Sequence, residues 1–203
     1  MNDFEQALVA FLGEERLKKI RTVKVGIAGA GGIGSNCALN LVRSGFNNLK
    51  IIDFDKIEYS NLNRQFYFYH QVGCSKVKTL KENLLSINPN LKIEILNIKL
   101  DEKNAAEIFA DCDVVIEAFD KVLYKKILVE EFANSIKLLI AVSGIAGWDD
   151  VDDIKVHKIK DNFFIVGDLV TEVSNDKPPI SPKVNVAAAK MANLVLKFAA
   201  DGR

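Results

Sequence analysis

The sequence is poor in the residues on which metal and redox proteins rely. It has two histidines and three cysteines in 203 residues. Cys37, Cys74 and Cys112 are odd in number and widely spaced, with no Cys-x-x-Cys pair. That excludes a disulfide framework or a zinc ribbon, so no structural zinc is expected. Three free thiols fit a reducing, cytoplasmic setting. Charge of one sign is lacking as well: 27 Lys plus Arg balance 27 Asp plus Glu. A nucleic-acid partner bound through bulk positive potential is therefore not expected. No run approaches the ~18 apolar residues of a membrane span. The start, Met1-Asn2-Asp3-Phe4-Glu5, is acidic where a secretory signal would be basic. What is present is ordinary globular composition, 49% apolar and 27% charged. Its length and the absence of an interdomain linker suggest a single domain over residues 1–203.

Apolar periodicity supplies the elements. Phe4, Ala7, Leu8, Phe11 and Leu12 share one face of a helix, with a shorter piece around Leu17 and Ile20. Buried-strand runs lie at 23–28, 49–53, 91–96, 113–118 and 138–142. Helical stretches at 75–87, 103–110 and 121–134 separate most of them. This alternation predicts βαβ units and a doubly wound, mainly parallel α/β sheet with helices on both faces, Rossmann-like in kind. After Gly144 the pattern changes. Segments 153–159 and 162–166 read as a hairpin, an antiparallel C-terminal extension. Pro178, Pro179 and Pro182 mark a loop. A last helix follows, capped by Ser181, with Val184, Ala188, Met191, Val195 and Phe198 along its apolar stripe. Met191 in that stripe reads as core.

The first strand runs into Gly29-Ala30-Gly31-Gly32-Ile33-Gly34 and then a helix. Gly29 permits a tight turn, Gly31 lets the backbone approach a phosphate, and Gly34 lets the helix pack close to the sheet. The helix N-terminus adds free N–H groups and partial positive charge. Asp53 ends the second strand 19 residues after Gly34, where a carboxylate can accept hydrogen bonds from a ribose. Strand, glycines, helix and acid together point to nucleotide binding. Dinucleotides and ATP both use such a crevice.

A polar run follows: Asp53-Phe54-Asp55, then Ser60-Asn61-Leu62-Asn63-Arg64-Gln65, then Gly73-Cys74-Ser75-Lys76. A cation beside a phosphate loop suits a nucleotidyl transition state, in which negative charge grows on phosphate oxygens. A surface Arg64 and a solvated Lys76 are the plainer alternatives. Asp120 follows the fourth strand. In a sheet of order 3-2-1-4-5, strands one and four straddle the ligand crevice, so Asp120 faces the glycine loop. A carboxylate there can hold Mg²⁺ together with substrate phosphates or cap the next helix.

These motifs in this order, with Asn88-Pro89, resemble the ubiquitin-activating-enzyme-like adenylyltransferases, the ThiF/MoeB family. The likeness covers about residues 23–120. Gly13-Glu14-Glu15-Arg16-Leu17 and Ser181-Pro182-Lys183-Val184 are similar to a compact ThiF-like subgroup of thiamine biosynthesis. The resemblance implies that a small ubiquitin-like sulfur-carrier protein is adenylylated at its C-terminal glycine by MgATP, with release of pyrophosphate. It implies a nucleotide site of Gly29, Gly31, Gly32, Gly34, Asp53, Asn61, Arg64, Gln65 and Lys76. Arg64, Lys76 and Asp120 would act in catalysis, Asp120 holding Mg²⁺. It also implies a homodimer. The chain departs from the family in lacking paired cysteines, a cysteine after Asp120, an arginine in its first helix and an Asn at 121, where Lys121 stands. Two alternatives follow. One is an NAD-dependent oxidoreductase on the glycine and Asp53 fingerprint. The other is a non-catalytic ATP- or partner-binding relative.

Overall fold

A computed structural model describes residues 1–201. At its centre are four short parallel strands, β1 (Val25–Ala28), β2 (Asn48–Ile52), β4 (Val114–Glu117) and β5 (Leu138–Val142). They are buried on both faces, which is why they read as unbroken apolar runs. β3 (Lys92–Leu96) extends one side. On the other side β7 (Phe163–Gly167) pairs parallel with β5, and β6 (Lys155–Lys160) pairs antiparallel with β7. The order is β3-β2-β1-β4-β5-β7-β6 in a seven-stranded sheet. The expected 3-2-1-4-5 core is present. The expected antiparallel extension is also present: β6 and β7 lengthen the same sheet, and only the outer strand reverses direction.

Strand alternation sorts side chains into two cores. Val25, Ile27, Leu49, Ile51, Val114 and Ile116 face one layer. That layer comprises α2 (Glu14–Thr22), α3 (Gly32–Arg43), α4 (Lys76–Leu85) and the long α7 (Ser181–Asp201). The α7 stripe of Val184, Ala188, Met191 and Val195 is buried there, so Met191 is core. Ala28, Ile52, Val115 and Leu139 face the other layer, formed by α5 (Ala105–Ile108) and α6 (Val122–Phe132). Helix α5 is a single turn, shorter than the 103–110 stretch suggested by periodicity. Residues 101–104 are instead held in a turn by the side chains of Asp101 and Asn104. Lys50 reaches across this second face to the Ile108 carbonyl and Asp111. No helix among the described residues is long and apolar enough to cross a membrane.

Helix α1 (Asp3–Leu12) is attached through an acid. Asn2 and Glu5 form a reciprocal capping box, each side chain accepting the other's backbone N–H. Glu5 is the buried residue of this helix, only 2% exposed. It also pairs with Arg21 of α2 and accepts from the side-chain amides of Asn88 and Asn90. Burial alone would raise its pKa. Arg21 and the amide donors more than reverse this and bring it to about 2. Because the folded value lies below the unfolded one, the stabilisation is complete above about pH 4.5 and is lost as pH falls toward 2. Glu5→Gln is therefore expected to cost about 2 kcal/mol at pH 7. It should also flatten the fall in stability between pH 5 and 2, as read by urea titrations at several pH values.

Candidate nucleotide and phosphate site

The glycine loop follows β1, and its geometry sets the rest of the site. Gly29 has φ +107°, and a Cβ there would lie 2.8 Å from the Ala118 carbonyl oxygen. Gly34, in the first turn of α3, lies closer still. A Cβ there would fall 1.8 Å from the Gly29 carbonyl oxygen. The helix thus sits on the strand end at a distance no side chain allows. Gly32 faces the last helix and the polar loop, with Val184 and the Arg64 stem against it. Gly31 differs: its backbone is extended, and a Cβ would meet only Gln65 Nε2, at 3.8 Å. Its bareness keeps the approach to the helix N-terminus open.

Asp53 is buried at the end of β2. Its Oδ2 accepts the Ala30 N–H at 2.7 Å and its Oδ1 accepts the Asp55 N–H at 2.8 Å. The carboxylate therefore fixes the glycine loop to its own loop. Burial raises its pKa, against those two donors and the Lys76 charge.

The polar loop brings Arg64 over the glycines. Its guanidinium donates to the Ser60 carbonyl and to Asn63 Oδ1. Burial lowers its pKa, and the Asp120 charge partly offsets this. The charge of Asp120, 56 residues further along the chain, is thus felt at Arg64. Asp120 is exposed and is not the helix cap: α6 begins after Lys121, with no side-chain cap hydrogen bond. Lys76, at the start of α4, is buried to 7% exposure, with its Nζ 3.2 Å from Asp55 Oδ2. Asn61 is turned inward. Its Oδ1 accepts the Glu58 N–H, closing a 3-10 turn at Tyr59–Asn61. Gln65 is buried with its Oε1 unpartnered, beside Gly31.

Three further side chains shape the neighbourhood. Tyr67 is buried with its hydroxyl 2.8 Å from the Ala30 carbonyl. Glu117, at the end of β4, is fully buried. It pairs with Lys125 and accepts the Phe119 N–H, which fixes the turn leading to Asp120. Lys183, 1% exposed in the first turn of α7, donates to the Ala146 carbonyl and Asp168. The β7–α7 loop closes on the polar loop where Asn63 Nδ2 donates to the Pro179 carbonyl. Cys37 and Cys112 are buried free thiols, each pushed up to about 12 by burial, while free Cys74 is exposed.

Among the described residues no cluster of three or more His, Cys, Asp or Glu side chains could cage a metal ion. The donor set at Asp120, one exposed carboxylate beside a phosphate loop, fits Mg²⁺ held jointly with phosphates. It does not fit a metal bound by protein alone.

The sequence model of the ThiF family matches residues 5–151. The SUMO-activating enzyme subunit 2 of Dictyostelium discoideum is 36% identical over 151 residues, covering 73% of this chain and 22% of that one. The molybdopterin-synthase adenylyltransferase of Haemophilus influenzae is 38% identical over 115 residues, covering 56% of this chain and 46% of its own. This chain thus spans less than half the length of either relative. Among solved structures, E. coli TcdA, a tRNA N6-threonylcarbamoyladenosine dehydratase in complex with ATP, superposes with TM-score 0.86. It is 20% identical, and the match covers 95% of this chain and 91% of that one. At that identity the likeness is one of fold.

The glycine geometry separates two roles that substitution can test. Gly34→Ala is expected to cost about 3 kcal/mol or more through the clash with Gly29. Gly31→Ala should leave the Tm within a degree or two and yet abolish detectable binding of an ATP analogue. Thermal melts paired with calorimetric titration check both.

Proposed function

The chain belongs to the ThiF family, and from that premise we propose that it is an ATP-dependent adenylyltransferase acting on the C-terminal carboxylate of a small ubiquitin-like sulfur carrier. The observation that carries this reading is the glycine loop, open at Gly31, with the Arg64 stem against Gly32 and Lys76 buried beside Asp55. The likeness to a molybdopterin-synthase adenylyltransferase and the order of motifs support it. The carboxylate oxygen attacks the α-phosphorus of ATP, the bond to the bridging oxygen breaks, and pyrophosphate leaves. The helix N-terminus at Gly31–Gly32 receives phosphate oxygens. Arg64 and Lys76 stabilise the charge that develops on them. Lys76 exchanges its Asp55 partner for phosphate in this step. Asp53 keeps the loop in place and offers its remaining lone pairs to the ribose. Asp120 would hold Mg²⁺ together with the substrate phosphates, and the ion would supply further charge neutralisation.

A protein substrate is supported by the surface around the crevice. Exposed large apolar side chains collect on loops that follow the parallel strands: Phe54 and Tyr59 after β2, Val122 after β4, Trp148 after β5, Leu169 and Val170 after β7. All these loops leave one edge of the sheet, the edge of the glycine loop. Leu169 is held at φ +63°, a conformation costly for leucine. The Asp168 carboxylate fixes it by accepting from Val170 N–H, Thr171 N–H and Lys183. Such an apolar rim suits a docked protein better than a small metabolite. The compact-subgroup residues at 13–17 and 181–184 favour the carrier of thiamine synthesis. A homodimer is part of the same reading.

The test is exchange of labelled pyrophosphate into ATP with a panel of glycine-ended carriers. Exchange is expected with at least one. Arg64→Ala and Lys76→Ala should each lower it about a hundredfold without shifting the Tm. Absence of exchange with every carrier, or wild-type rates in both variants, would contradict the proposal.

A further inference from the structure

Tyr67 ends the Gln65-Phe66-Tyr67 stretch, and no chemistry of the site needs a phenol. Its side chain is nevertheless 6% exposed and lies among the loops that form the crevice. The hydroxyl stands 2.8 Å from the Ala30 carbonyl and 3.3 Å from the Lys76 carbonyl. Both neighbours are acceptors, and the hydroxyl has one proton to donate. Burial, then the nearby Asp53 charge, holds that proton on the oxygen. The shorter contact makes Ala30 the principal acceptor.

Ala30 is thus gripped from two sides. Asp53 takes its N–H and Tyr67 its carbonyl. It stands between Gly29, at φ +107°, and Gly31, which offers the open approach. A glycine-flanked residue has little torsional stiffness of its own, so these two bonds set where the following N–H groups point. Tyr67 is in turn immobile. The Phe66 N–H donates to Ser35 Oγ, and the Phe66 carbonyl accepts from Asn83 Nδ2. The Arg64 carbonyl accepts from Asn36 Nδ2. Helices α3 and α4 therefore clamp the strand of polar loop from which the phenol projects.

We propose that Tyr67 is a positioning residue: its hydroxyl ties the glycine loop to the polar loop and the Lys76 turn, and holds the phosphate-receiving N–H groups in register with Arg64 and Lys76. This rests on the nucleotide reading above, but its first consequence concerns the protein without nucleotide. In Tyr67→Phe the ring still fills its place while the Ala30 carbonyl loses its donor. Phe109→Leu, in the opposite core, serves as a control for general destabilisation. If needed, both proteins are studied at temperatures equally far below their melting points.

Amide hydrogen exchange on nucleotide-free protein is expected to be about tenfold faster at residues 30–33 in Tyr67→Phe, with Ile27 and Val115 unchanged. ATP titrated into the same protein should bind roughly tenfold more weakly. Phe109→Leu should alter neither. Unchanged exchange at 30–33, faster exchange with unaltered ATP binding, or the same changes in Phe109→Leu would each overturn the proposal. Should wild-type protein bind no ATP, the nucleotide reading falls, and the tie itself is then decided by the exchange data.

Discussion

The close seating of α3 on the end of β1 is the constraint from which the site follows. Gly34 meets the Gly29 carbonyl where a methyl group has no room. That contact aims the helix N-terminus across the open edge of the sheet and leaves its first N–H groups without intrahelical partners. The strand order places β2 and β4 on either side of β1. Asp53 and Asp120 therefore arrive from opposite flanks without any special device. The loop itself has few stabilising contacts of its own, because glycines contribute flexibility and no side chains. Its shape is imposed by Asp53 on one side and Tyr67 on the other.

The balance of charge in the whole chain conceals a strong local arrangement. Cations that would meet phosphate are each held by a partner in the nucleotide-free protein. Lys76 has Asp55, and Arg64 has the Ser60 carbonyl, Asn63 and the field of Asp120. Binding of an anion then exchanges one acceptor for another, and the cost of desolvation has already been met in folding. Glu117 likewise pairs with Lys125 and Asp168 with Lys183. Glu117 fixes the turn after β4 and Asp168 the turn after β7.

Much of this was legible in the sequence because it depends on local pattern. Apolar runs of four to six residues separated by helical periodicity fix the βαβ order, and the Gly29–Gly34 spacing with Asp53 marks the crevice. Asp120 stands out as a charged residue just past a strand end, whereas Arg64 and Lys76, well beyond β2, stand out through the polar motifs around them. What was not legible depends on partners distant along the chain. Tyr67 meets Ala30 across 37 residues and Lys183 meets Asp168 across 15. Neither pairing leaves a periodic trace. Asn61, expected among the nucleotide-site residues, closes its own turn through Oδ1, a local bond that periodicity does not show either. The hairpin after Gly144 was visible as two strands. Its attachment to β5 was not, because sheet neighbours are chosen by tertiary packing.

The added strands bear on how a partner could be received. Because β7 runs parallel to β5, its C-terminal end emerges at the same edge as the glycine loop and delivers Asp168 and Leu169 there. Helix α7 then returns across the first face, and Val184 comes to rest on Gly32. The chain after Gly144 thus contributes both the outer apolar rim and part of the floor of the phosphate site. A displacement of the Leu169 turn would be felt through Asp168 and Lys183 at the first turn of α7, one residue from Val184. The exposed Leu169 turn and the glycine loop are therefore joined by a short series of contacts through Asp168, Lys183 and Val184. Each link in it is a named bond or packing contact.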